Sequence, residues 1–169
     1  NDGNKIITLK ENEYLGDIKD KLLDMFVDGF NLLIAGTGVG KTELWKKIAN
    51  ENKQRVLVIE PLNAIINNKY DESFYKAIGN TYINNDVDVA LCSYNKFNSL
   101  CSMIFDAKKK MPHTEYDVIV VDESHLLGLS EYRAEIIIPF INNLKRYNET
   151  YGTKIVLQTA TISNEEYYF

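Results

Sequence analysis

What the chain has little of narrows its class first. Two cysteines stand among 169 residues, Cys92 and Cys101. They are too few for a disulfide framework, and neither belongs to a C-x-x-C pair or sits beside a histidine at zinc-ligand spacing. A reducing, cytoplasmic setting is the expectation. With three prolines and nine glycines there is no Pro-rich run or Gly/Ser linker, and no internal repeat, so residues 1–169 are expected to form one domain. Long apolar runs are missing, which excludes a membrane-spanning helix and a membrane partner. The start, Asn1 to Lys5, has neither the apolar core of a signal peptide nor the arginine-rich amphipathic look of a transit peptide. Positive charge is not in excess: 19 Lys and Arg against 24 Asp and Glu leave a net charge of −5. Contact with a polyanion must then be local, not drawn by an overall basic field.

What is present supports a folded α/β domain. Hydrophobic residues make up 45% and charged residues 25%, enough apolar surface for a core and too much for a disordered chain. Apolar residues recur at helical spacing over 17–27 (Ile18, Leu22, Met25, Phe26) and over 42–50 (Leu44, Trp45, Ile48). The continuous apolar runs 56–59 and 118–121 predict buried strands, the first covered on both faces, and the apolar-rich segments 30–34, 87–92 and 154–157 read as further strands. Between them, Asp71 is expected to cap a short helix reaching Gly79. Phe97, Leu100, Cys101, Ile104 and Phe105 mark one face of another, and residues 131–147 a third that Pro139 should kink or divide. Strands alternating with helices predict a mostly parallel sheet with helices on both faces. At the end, Ser163-x-x-Glu166 before Tyr167, Tyr168 and Phe169 reads as a capping box opening a helix. The expectation is that these residues are a piece of a longer protein.

Two short segments carry chemistry. Ala35-Gly36-Thr37-Gly38-Val39-Gly40-Lys41-Thr42 is a Walker A loop with Ala at its first position. Its glycines let backbone N–H groups close around phosphate oxygens, the following helix points its positive end at them, Lys41 reaches the β- and γ-phosphates and Thr42 ligates Mg²⁺. A strand precedes it and a helix follows, as the motif requires. Asp122-Glu123-Ser124-His125 directly follows the apolar run 118–121. At the C-terminal end of a parallel strand, Asp122 would hold Mg²⁺ through water and Glu123 would polarise the attacking water. Bland readings of other residues are kept: His113 as a surface histidine, Trp45 as a core anchor, and Lys108 to Lys110 as a solvated helix end.

AGTGVGKT, then DESH, then Thr159-Ala160-Thr161 resemble motifs I, II and III of superfamily 2 helicases of the DExH-box type. The resemblance spans essentially the whole chain as the first, N-terminal RecA-like P-loop NTPase domain of such an enzyme. It implies hydrolysis of ATP or another NTP with Mg²⁺, coupled to movement on single-stranded or duplex nucleic acid, DNA or RNA. Lys41 and Glu123 match the catalytic residues, and Gly36 to Thr42 the phosphate loop. His125, Thr159 and Thr161 match residues that couple the nucleotide site to a second RecA-like domain. Pro61 and Asn63 are similar to motif Ia, and Ser93, Tyr94 and Asn95 to a loop that meets the nucleic-acid backbone. A helix cap and a core-packing turn explain the same residues equally well. No glutamine stands in a Q-motif setting, so the base of the nucleotide stays open. The arginine fingers of a second domain are missing from these residues, which predicts slow hydrolysis or none by the chain alone, since such a finger is worth roughly 10³–10⁵ in rate. Two rival readings are another P-loop ATPase and a nucleotide-gated binding module without turnover.

Overall fold

In the computed structural model, residues 5–36, 38–79, 89–128 and 134–160 are described. Six strands form one sheet: β1 (Phe30–Ile34), β2 (Val56–Glu60), β3 (Tyr75–Lys76), β4 (Val89–Ser93), β5 (Val118–Val121) and β6 (Lys154–Thr159). The order is β1-β6-β5-β2-β4-β3 and every pairing is parallel. The helices are α1 (Lys19–Met25), α2 (Lys41–Glu51), α3 (Asn63–Lys69), α4 (Tyr94–Cys101) and α5 (Ala134–Tyr151). The α/β architecture expected from the alternating pattern is borne out.

Side-chain alternation along the strands builds two cores. Val56, Val58, Val118, Val120 and Val156 face Leu22, Leu44, Trp45, Ile48 and Ile66 of α1, α2 and α3. Leu57, Ile59, Ile119, Val121, Ile155 and Leu157 face Phe97, Leu100, Phe140, Leu144 and Tyr147 of α4 and α5. With both faces covered, β2 and β5 have no solvent side and so read as unbroken apolar runs. Each large apolar side chain so buried contributes about 1.5–3 kcal/mol.

Three expectations change. Residues 71–79 are not a helix: the Asp71 carboxylate accepts the Ser73 backbone N–H at 2.9 Å, closing a local turn. Tyr75–Lys76 then adds a sixth strand, beside β4, and the helix lies earlier, at Asn63–Lys69. Pro139 does not divide α5, which runs unbroken from Ala134 to Tyr151. Pro139 lies inside the helix, so the Glu135 carbonyl lacks its usual i+4 donor, a loss the rest of the helix tolerates. His113 is not a plain surface residue: its Nε2 lies 2.6 Å from the Tyr147 hydroxyl, and its ring packs against Tyr116, Tyr147 and Tyr151. Trp45, by contrast, is buried as a core anchor. Residues 161–169, with Thr161 and the capping box at Ser163, lie outside the described residues, as does Thr37.

Candidate active site

The strand order brings the two motifs together. β6 lies between β1 and β5, so the loop after β1, the acidic turn after β5 and the end of β6 share one edge, the C-terminal edge where ligands of parallel sheets bind. The ladder even continues into the loop, with Ala35 N–H donating to the Thr159 carbonyl at 3.0 Å. Gly38 and Gly40 have φ of 80° and 87°, left-handed values that glycine adopts without the Cβ penalty. Gly40 is also the N-cap of α2, and a Cβ there would meet the Tyr14 Cβ at 3.4 Å. Lys41 opens α2, and its Nζ donates to the Ala35 carbonyl at 2.8 Å, folded back over the loop it serves. Burial lowers its pKa, against the attraction of Asp122 and with repulsion from Lys69. Gly36 and Gly38 are exposed, Val39, Gly40 and Thr42 half-buried, at the end of α2 whose free N–H groups and positive dipole favour an anion.

Parity explains the acidic cluster. Glu60, Asp122 and Gln158 each stand two residues beyond a valine of the α2 face, Val58, Val120 and Val156. The register pairs Ile59 with Val121 and Val121 with Leu157, so the three side chains lie side by side at one height on three adjacent strands. All are buried. Trp45 Nε1 donates to Gln158 Oε1 at 2.8 Å, and Gln158 Nε2 donates to Asp122 Oδ1 at 3.1 Å. Lys69 Nζ, from the end of α3, donates to Asp122 Oδ2 at 2.6 Å. Tyr70 donates its hydroxyl proton to Glu60 Oε2 at 2.5 Å. Burial first, and the neighbouring Asp122 charge second, push the Glu60 carboxyl up to about 9. That shift favours the neutral acid near pH 7, and its buried Oε1 has no hydrogen-bond partner among the described residues. Burial would raise Asp122 as well, but the neighbouring Glu60 carboxyl, the charge and bond of Lys69 and the bond from Gln158 outweigh it and hold Asp122 below the usual carboxylate range. One carboxylate is thus kept ionised beside one kept protonated.

Glu123 follows with φ of 54°, a left-handed conformation that costs a residue with a Cβ on the order of 1–3 kcal/mol and is held where the surroundings impose it. Tyr94 imposes part of it, its hydroxyl donating to the Asp122 carbonyl at 2.6 Å. His125, in the short 3₁₀ turn Ser124–Gly128, sits with Nδ1 3.1 Å from the Thr159 hydroxyl and Nε2 3.6 Å from Glu123 Oε2.

The residues expected to meet nucleic acid divide. Ser93 is the N-cap of α4, its hydroxyl accepting from the Lys96 N–H at 3.1 Å. Tyr94 is 1% exposed and stacks on Phe140 at 4.4 Å between ring centroids. Its reading as a backbone-phosphate contact is corrected: the side chain turns into the core because its aromatic body completes the α4–α5 packing. Pro61 is buried, while Asn63 and Asn95 are exposed. Asn63, Ser93, Asn95, Lys96 and Ser99 line a cavity of about 320 Å³. Lys69 and Gln158 were not foreseen, nor was the burial of Glu60 beside Asp122; the clue available was their place at, or one helix after, the ends of buried strands.

A hydroxyl from Thr42 and a buried, ionised Asp122 are hard oxygen donors of the kind Mg²⁺ takes. That ion keeps most of its ligands as water and phosphate oxygen and does not require a protein cage. The residues therefore fit it. A family model of the DEAD/DEAH box helicase matches residues 17–168, taking in both motifs and all six strands. Among curated proteins, none matches the chain. The phosphate loop, the DESH turn and the parallel sheet that joins them agree with that match, and the chain belongs to the DEAD/DEAH box helicase family, as a helicase ATPase domain of RecA-like fold.

Proposed function

We propose that this chain is the N-terminal RecA-like domain of a superfamily 2, DExH-type helicase or translocase, one domain over residues 1–169, acting in the cytoplasm with a second RecA-like domain of the full-length protein. The observation that carries the reading is the meeting of Lys41, Asp122, Glu123 and the His125–Thr159 pair at adjoining strand ends.

In this reading the backbone N–H groups of residues 36–42 receive the phosphates of ATP or another NTP, and Lys41 exchanges the Ala35 carbonyl for phosphate oxygen. Thr42 and Asp122 would hold Mg²⁺, which when bound supplies charge neutralisation on the β- and γ-phosphates. Glu123 orients the attacking water, its carboxylate exposed more than that of Asp122 and 3.6 Å from His125 Nε2. His125 reports the state of Glu123 to Thr159 at the end of β6, and the resemblance gives Thr161 a part in the same coupling. Asn63 and Asn95, with Lys96, offer the nucleic-acid backbone neutral and basic donors that ignore sequence. Arg55 stands before β2 at the far edge of the sheet, and Arg146 is paired with Asp106. Arg133 lies outside the described residues, and in this reading the phosphate-directed arginine comes from the second domain.

The test is ATP hydrolysis by the full-length protein with and without single-stranded DNA or RNA. Stimulation by strands, lost in Glu123→Gln while Mg-ATP still binds, is the expected result. Turnover indifferent to any nucleic acid would overturn the motor reading.

A further inference from the structure

Lys69 takes no part in the nucleotide reading above, yet its ammonium contacts Asp122 2.6 Å from Oδ2 and lies 3.7 Å from Glu60 Oε2. It reaches them from the last turn of α3, where the helix dipole favours a cation. The ammonium also sits 5.5 Å from the centre of the Tyr70 ring. Asp122 Oδ1 is taken by Gln158. The other lysine that feels the cluster, Lys41, spends its ammonium on the Ala35 carbonyl. The cation in direct contact with the Asp122 carboxylate is therefore Lys69, and the carboxylate it neutralises is the one expected to serve magnesium.

We propose that Lys69 is a resident countercharge and positioning residue for Asp122: it fixes the carboxylate between two donors and sets how tightly Mg²⁺ is taken up with the nucleotide. The inference rests on Asp122 being the magnesium-holding acid. Two cations sharing one carboxylate repel each other, and that repulsion is worth about tenfold in affinity even at aqueous screening. Without the lysine charge, the divalent ion meets the Asp122 carboxylate with no cation already in direct contact with it.

The experiment measures ADP affinity with EDTA and with saturating MgCl₂ on the full chain, and takes the ratio as the magnesium-dependent tightening. Lys69→Met removes the charge and the donor; Lys69→Gln removes the charge but keeps a donor; Lys69→Arg keeps both. The proposal expects the ratio to grow about tenfold in Met and Gln and to stay at the wild-type value in Arg. Circular dichroism confirms folding, and Lys69→Gln stands alone if Lys69→Met does not fold. A lysine that merely anchors α3 would weaken ADP equally with and without the metal, leaving the ratio unchanged, and that result overturns the proposal. Asp122→Asn separates the two levels: if it keeps the wild-type ratio, the magnesium reading of Asp122 fails and the proposal with it.

Discussion

His125 Nδ1 lies 3.1 Å from the hydroxyl of Thr159, joining residues 34 apart in sequence at the ends of neighbouring strands β5 and β6. Thr159 is 1% exposed, so a partner for its hydroxyl matters more than at the surface. A double-mutant cycle of His125→Ala and Thr159→Val, read by urea unfolding, should give a coupling of about 1 kcal/mol. Additive effects would mean that the two side chains do not act on each other.

The left-handed backbone at Glu123 (φ of 54°) predicts a conflict between stability and chemistry. Glu123→Gly removes the Cβ penalty and should leave the unfolding free energy unchanged or raise it by up to about 1 kcal/mol, while hydrolysis by the full-length protein is lost. Thermal and urea unfolding beside a turnover assay check both halves. A marked loss of stability would show that Glu123 is held by contacts and not at a cost.

Much of this arrangement was legible in advance because it rests on local pattern. The runs at 56–59 and 118–121 could belong only to strands buried on both sides, and the loop ending in Gly40-Lys41-Thr42 carries its own backbone chemistry. What escaped depends on tertiary neighbours. The α3 segment, Asn63–Lys69, is mostly polar and shows one buried residue, Ile66, so no periodicity marks it. Glu60 ends a strand, where a glutamate ordinarily meets water; only the register with β5 shows that it shares Asp122's height. Tyr94 follows a strand end as a phosphate contact would, and its inward turn depends on Phe140, far along the chain.

His113 makes a pH prediction. Burial first, helped by Arg55 and opposed by Glu115, lowers its pKa below the ordinary histidine value. Because the folded value is depressed, the unfolded chain binds a proton first as pH falls. The contribution is fully present above about pH 6.5 and is lost as pH falls from there through the folded value. Urea midpoints at pH 7.5 and 5.5 should therefore fall further in the wild type than in His113→Gln. Equal falls would remove His113 from the account.

The most direct measurement is equilibrium binding of Mg-ATP to this chain beside Lys41→Ala. Lys41 contacts the Ala35 carbonyl of its own loop at 2.8 Å, so its loss leaves the cores untouched and circular dichroism should not change. The account predicts saturable binding by the wild type and a loss of at least about tenfold in the variant, the worth of one charge-assisted contact to phosphate. Equal affinity in the two proteins, or no binding by either, would contradict the assignment of this loop as the nucleotide site.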